Sequence, residues 1–195
     1  MHKGDETKQF ILDEAVQLAS VNGLHGLTIG GLAQQVHLSK GGICAHFPSK
    51  EALQLAVVHH AARIFTSAVV VPALAAPAGQ ARLVALSEAW FAYIQKPIFL
   101  GGCFFTNSVL EVDDRENPDV RSAVREHYQH FLTFIQREMH SAVQQRQLPS
   151  TAPSDQSAFA FLTILSGVLI WRGLGQQEEG IKKARYAFHQ LLHSS

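Results

Sequence analysis

LTIGGLAQQVHLSKGGICAHFPSKEAL, residues 27–53, places four glycines among good helix formers. Gly30-Gly31 and Gly41-Gly42 each cost a helix interior roughly 1 kcal/mol per residue against alanine. Local signals nevertheless predict helices here. Thr28 is an N-cap for a short helix over about Ile29–Val36, and Ser39 for a second over about Lys40–Phe47. Pro48 ends the second, and Ser49 opens a third with Glu51 in its first turn. Upstream, Phe10, Ile11, Ala15, Leu18 and Ala19 recur at helical spacing until Asn22-Gly23, a stop signal. A helix, a short turn and a polar second helix opening on Ser-Lys-Gly is the pattern of a helix-turn-helix. Glycines at the front of that second helix let backbone come close to a partner.

The charge pattern points the same way. Residues 27–50 hold Lys40, Lys50, His37 and His46 and no acid, while Asp5, Glu6, Asp13, Glu14 and Glu51 flank them. A polyanion contact needs such an acid-free window. Over all 195 residues, 16 Lys and Arg balance 16 Asp and Glu, so net charge names no partner. Charged residues make up only 16%. About 25% is usual, so the low value implies much buried surface, including a subunit interface. Cys44 and Cys103 form neither a disulfide framework nor a metal motif. The polar start lacks a signal peptide's apolar region, and the most apolar run, Ala158–Trp171, is short of the roughly 20 residues of a membrane span. The expectation is a cytoplasmic protein without a membrane partner or cofactor.

The rest of the chain reads as helix throughout, with no alternating strand. Helices are expected over Lys50 to about Val71, Gln80–Gln95 stopped by Pro97, Cys103–Val112, a long one capped by Asn117 and begun by Pro118, then Asp155–Leu174 and Glu178–His193. The fold class is all-α, about nine helices. A helix-turn-helix domain over residues 1–50 is followed by an effector-binding and dimerisation bundle over 51–195.

These residues resemble a family. Ile11-Leu12, Ala15, Gly23, Thr28, Leu32-Ala33, Leu38-Ser39-Lys40-Gly41, His46-Phe47 and Ser49-Lys50-Glu51 with Leu53 are similar, in register, to the N-terminal domain of TetR/AcrR-type transcriptional regulators. Residues 101–121 resemble, less specifically, a segment of one subgroup. The resemblance implies a homodimer with an N-terminal reader of double-stranded operator DNA and a C-terminal effector domain. It assigns DNA contact to Thr28, Ser39, Lys40, Gly41, Gly42, Ile43, Cys44, His46 and Lys50. Thr28 and Ser39 are helix caps as well. The helix dipole disfavours Lys40 and Lys50 in first turns, so an anion nearby would explain them. His46 either reaches a phosphate or packs beside Phe47. Two departures stand out. Cys44 replaces a tyrosine common in the family, losing reach. His37 occupies a turn position where glycine is common because a left-handed conformation is needed.

For the effector pocket, the aromatic and polar residues of the later helices suggest Trp90, Phe91, Phe104, Phe105, Asn107, Ser108, Tyr128, Phe131 and Trp171, with a small, largely apolar effector. Aromatics at this spacing also build ordinary cores. The dimer face is expected from Phe161, Leu165, Val168, Leu169, Ile181, Ala184, Phe188 and Leu191, in preference to the other reading of these residues as an internal core. The expected function is a ligand-responsive dimeric regulator, a repressor released by its effector. The alternatives are a helical interaction protein with weakened DNA binding and an all-helical enzyme. For the enzyme, His59-His60, His127 and His130 could be imagined as metal ligands, but no His-Glu-x-x-His pattern, paired carboxylates or nucleophile–base arrangement is recognisable. No catalytic or metal site is expected.

Overall fold

The computed structural model describes residues 3–96, 98–113, 117–149 and 154–193. The Pro97 stop, the Asp114-Arg115 corner and Pro153 lie outside them. The helices are α1 (Lys3–Gly26), α2 (Ile29–Gln35), α3 (Lys40–Cys44), α4 (Lys50–Phe65), α5 (Val71–Ala73), α6 (Gln80–Gln95), α7 (Phe104–Glu111), α8 (Pro118–Gln144), α9 (Ser154–Gly173) and α10 (Gln177–His193). A π turn, Thr66–Val70, joins α4 to α5. Counting that run as one helix, nine helices and no strand stand among the described residues. The π turn was not foreseen in the Lys50–Val71 helix. Pro72 follows it; proline has no N–H to give residue 68, and its ring crowds that carbonyl, so the spiral widens just upstream.

The chain forms two compact units, Met1–Ile64 with Pro97–Tyr128, and Phe65–Lys96 with Gln129–Ser195. Helix α8 runs through both. This grouping is one of packing and differs from the split at residue 50 expected from the sequence.

In the first unit, Ile11, Ala15, Leu24, Leu27, Leu32, Ile43, Phe47, Leu53 and Val57 are buried together from four helices. The expected stop at Gly23 is present, at φ 78 and ψ 167, a backbone region essentially restricted to glycine. His60 is buried against α1, its Nε2 2.7 Å from Asp13 Oδ1. The Arg63 guanidinium donates to its Nδ1 at 3.1 Å. Because arginine only donates, Nδ1 must accept and Nε2 carries the hydrogen given to Asp13. The histidine imagined as a metal ligand thus has both ring nitrogens engaged within the fold.

In the second unit, α9 and α10 pack along their length, with Phe161 and Phe188 at a centroid distance of 4.4 Å. Phe188 also meets Phe91 of α6 at 6.0 Å. Phe65 stands edge-on to Tyr93 at 5.5 Å and to Phe131 at 5.0 Å. The loop before α6 is tied down by buried Glu138, which accepts from the Gly79 N–H at 3.0 Å and from Arg82 at 3.2 Å. Across the α6–α10 groove, Arg185 makes a two-bond contact with Glu88 at 2.9 and 2.7 Å.

Most of the expected dimer face is therefore internal. Phe161, Leu165, Val168, Ile181, Ala184 and Phe188 are buried within one chain; Leu169 and Leu191 are half-buried. The opposite side of α9 is open: Phe159, Ile170 and Leu174 are 62%, 69% and 66% exposed. A helix apolar on all sides gives no periodic signal for which side faces inward. Helix α9 and the run Lys50–Ala73 are each long and apolar enough to cross a membrane by length and composition, a test that core helices of soluble proteins also pass.

Candidate nucleic-acid interface

The reader is built by local capping. Thr28 Oγ1 accepts from the Gly31 N–H at 3.0 Å, and Ser39 Oγ from the Gly42 N–H at 3.0 Å. Between the helices, Leu38 N–H donates to Ala33 O at 3.0 Å and His37 N–H to Gln34 O at 3.3 Å. These are the two bonds of a Schellman turn, which needs a left-handed residue just beyond the helix. His37 supplies it at φ 54, as its position suggested, with a side chain that tolerates this region better than most.

α3 has a single regular turn, shorter than the sequence suggests, but tight bonds carry the chain on to Phe47, whose N–H donates to Ile43 O at 2.9 Å. Its faces are distinct. Ile43 and Phe47 point into the core. Ile43 is fully buried, so its side chain is not part of the outer surface, contrary to expectation. Ser39, Lys40, Gly41 and Cys44 are exposed on that surface, and Gly42 and His46 are half-buried. His46 lies 6.4 Å from the Phe47 ring, centroid to centroid. Leu38 and Ala45, neither of them among the expected DNA contacts, add apolar groups to that exposed surface. Lys8, placed by α1 with its ammonium 5.7 Å from the Phe47 centroid, adds a cation that no local pattern reveals.

The structure gives the upstream glycine pair an account. A Cβ at Gly30 would lie 3.3 Å from Lys40 Cε and 3.7 Å from its Nζ. The absent side chain leaves room for Lys40 to fold back over the start of α2 at Gly30. Lys50 differs from expectation in another way: its Nζ donates to His25 O at 2.9 Å, so one of its hydrogens is used inside the fold. Glu51 beside it is held below the ordinary carboxyl range by its own backbone N–H and the Ser49 hydroxyl, which fixes the start of α4.

The expected pocket residues are shared between the two units. Phe104, Phe105, Asn107, Ser108 and Tyr128 belong to the first unit, and Trp90, Phe91, Phe131 and Trp171 to the second. Phe104 and Phe105 are buried with ring centroids 5.2 Å apart, and Phe105 stacks on His127 at 3.5 Å. Asn107 is exposed and spends its amide on Gly101 O at 3.1 Å. Trp171 packs on Gly180, where no Cβ would fit, with Lys183 over its ring at 5.3 Å. A cleft in the second unit is lined instead by Val84, Ser87, Glu88, Arg185, Phe188, His189 and Leu192. Among the described residues no group of three or more His, Cys, Asp or Glu could hold a metal.

This geometry defines a class: a helix-turn-helix reader at the front of an all-helical chain. Residues 11–57 match the bacterial regulatory proteins of the tetR family, and residues 79–188 the tetracyclin repressor-like C-terminal domain. The chain belongs to the tetR family of ligand-responsive, DNA-binding transcriptional regulators, which are not enzymes. No curated protein matches it. Among solved structures it is similar to a TetR transcriptional regulator from Chloroflexus aurantiacus J-10-FL, at 24% identity over 99% of this chain and 98% of that one, with a TM-score of 0.89. It is also similar to AibR in complex with isovaleryl coenzyme A and operator DNA, at 18% identity, 95% and 97% coverage and a TM-score of 0.72. A third is the regulator FadR from Bacillus subtilis in complex with stearoyl-CoA, at 15% identity, 96% and 98% coverage and a TM-score of 0.73.

Proposed function

We propose that the chain is a homodimeric repressor whose residues 1–50 read operator DNA and whose residues 51–195 bind an effector and a second copy. The observation that carries the reading is the outer face of α3, where Ser39, Lys40, Gly41 and Cys44 are exposed with no acidic residue between them. The face enters the major groove, with Gly42, His46 and Lys50 at its margins and Thr28 near a backbone phosphate. Ile43 supports the face from behind. Such a protein works where its DNA is, in the cytoplasm.

The dimer forms through the open side of α9. Phe159, Thr163, Ile170 and Leu174 follow helical spacing there, and nothing lies within 4 Å of a Cβ at Gly167 or Gly173, which leaves room for close approach. Two readers can then sit about one DNA turn, roughly 34–36 Å, apart. The effector is small and largely apolar. Support comes from the aromatic interior of the second unit; AibR and FadR are each in complex with a coenzyme A ester whose acyl part is apolar. An effector releases DNA by binding more tightly to a reader spacing that fits the operator poorly.

The test is selection of bound DNA from a random pool by the full chain, repeated with free fatty acids, acyl-CoA esters and aromatic acids. A palindromic site lost on adding one of these confirms the reading. Failure to enrich any site would leave the helical interaction protein as the better account.

A further inference from the structure

The turn after Gly23 is held by side chains in addition to the backbone bond from Leu27 N–H to Leu24 O at 3.2 Å. Glu111, the last residue of α7, points its carboxylate at this turn from 86 to 87 positions away. It accepts from the Leu24 N–H at 2.9 Å and the His25 N–H at 2.7 Å, and His25 Nδ1 lies 2.8 Å from the same oxygen as the latter. Consecutive N–H groups converging on one anion make a nest, and bonds to a charged acceptor are stronger than neutral ones. The carbonyls of the same two residues are bonded from α4: Gln54 donates to Leu24 O at 2.8 Å and Lys50 to His25 O at 2.9 Å. Gly23 is part of the fit, because a Cβ there would come within 2.6 Å of the carboxylate.

What this turn does follows from what comes next. Three residues beyond His25 stands Thr28, the exposed cap that sets the start of α2. The other end of the clasp is anchored too. Gln17 of α1 donates to Ile98 O at 2.7 Å and accepts from Leu100 N–H at 3.0 Å. Gly101 N–H donates to Ser20 Oγ at 3.1 Å, and the Gly101 backbone lies against the Ser20 carbonyl with no space for a Cβ. The segment leading into α7 is thus docked on α1, and α7 delivers one carboxylate to the base of the reader. Glu111 lies in the stretch matched to the C-terminal domain, and the turn in the stretch matched to the DNA-binding domain.

We propose that Glu111 is a positioning residue for DNA recognition: it fixes the turn that places Thr28 and α2, and is a bond through which the C-terminal region acts on the reader. This rests on the operator-binding reading above. Without the carboxylate, two adjacent N–H groups lose their acceptor and the turn samples other arrangements, so binding must reorder it. The experiment uses the full-length chain and the operator selected from the random pool. Glu111→Ala is expected to bind operator about tenfold more weakly, and Glu111→Gln by a smaller factor because one oxygen remains. Amide hydrogen exchange at Leu24 and His25 accelerates in both.

A merely structural role is separated by a double-mutant cycle with Thr28→Val. If Glu111 acts through the placement of Thr28, Glu111→Ala costs much less in the Thr28→Val background than in the wild type. Equal factors in the two backgrounds, wild-type affinity in Glu111→Ala, or unchanged exchange at Leu24 and His25 each overturn the proposal. A wild-type protein that binds no DNA overturns the operator reading, and the proposal with it. The exchange measurement then still shows whether the clasp exists.

Discussion

Replacing Gly41 or Gly42 with alanine separates folding from recognition. In the structure a Cβ at Gly41 would lie 3.8 Å from Ser39 Oγ, and one at Gly42 would lie 3.5 Å from Ser39 Oγ and 3.8 Å from Leu38 Cβ. These are ordinary contacts, so nothing in the folded chain needs to move. Alanine also removes freedom from the unfolded chain, and at a compatible site the exchange gains about 0.4–1 kcal/mol. α3 is short, so about 0.5 kcal/mol per site is the reasonable share. At roughly 2–4 °C per kcal/mol for a domain of this size, each variant should melt about 1–2 °C higher. Operator affinity should move the other way. A methyl where backbone meets a phosphate or base edge displaces the contact, and a loss of about 1.4 kcal/mol is tenfold in Kd. Gly41, the exposed member, should lose more than half-buried Gly42. Calorimetry paired with fluorescence anisotropy on the selected operator reads both quantities. Variants that melt higher and bind as well as the wild type would refute the close-approach reasoning.

Other perturbations address the remaining parts. Lys40→Ala should weaken binding to all sequences and reduce the salt slope by about one, while Gly30→Ala, which crowds Lys40, should weaken binding in the wild type but add little to Lys40→Ala; a salt titration of the four proteins checks this. Ile170→Glu puts a charge on the open side of α9 and should yield a monomer by sedimentation velocity at micromolar concentration. Phe188→Ala removes a ring packed against Phe91 and Phe161 and should cost about 3–5 kcal/mol by denaturant unfolding.

The reader was legible because its determinants are local. Thr28 and Ser39 cap helices whose N–H groups lie three residues away, and His37 closes a turn whose bonds span five residues. The stop at Gly23 was legible for the same reason. Its partner was not: Glu111 reaches the turn only through the path of α7, and no local pattern marks a carboxylate as the acceptor for two distant amides. Ile43 was misread because a one-turn helix has too few residues to show which side is inward. In the C-terminal half the pattern is less telling. α9 is apolar on every side, so the sequence could not distinguish its contact with α10 from the side that is left open. Aromatic type by itself does not tell a ring that fills a core from one that lines a cavity.

The open side of α9 has a consequence for dosage. If two copies share that surface, the chain's melting point is tied to its own concentration, since association holds the folded form by mass action. Dilution would then lower both the fraction of paired readers and the stability of each chain. Operator occupancy would fall off more steeply with copy number than a single-copy binding curve allows. The same apolar stripe that joins two copies would thus set the smallest amount of protein able to keep a gene silent.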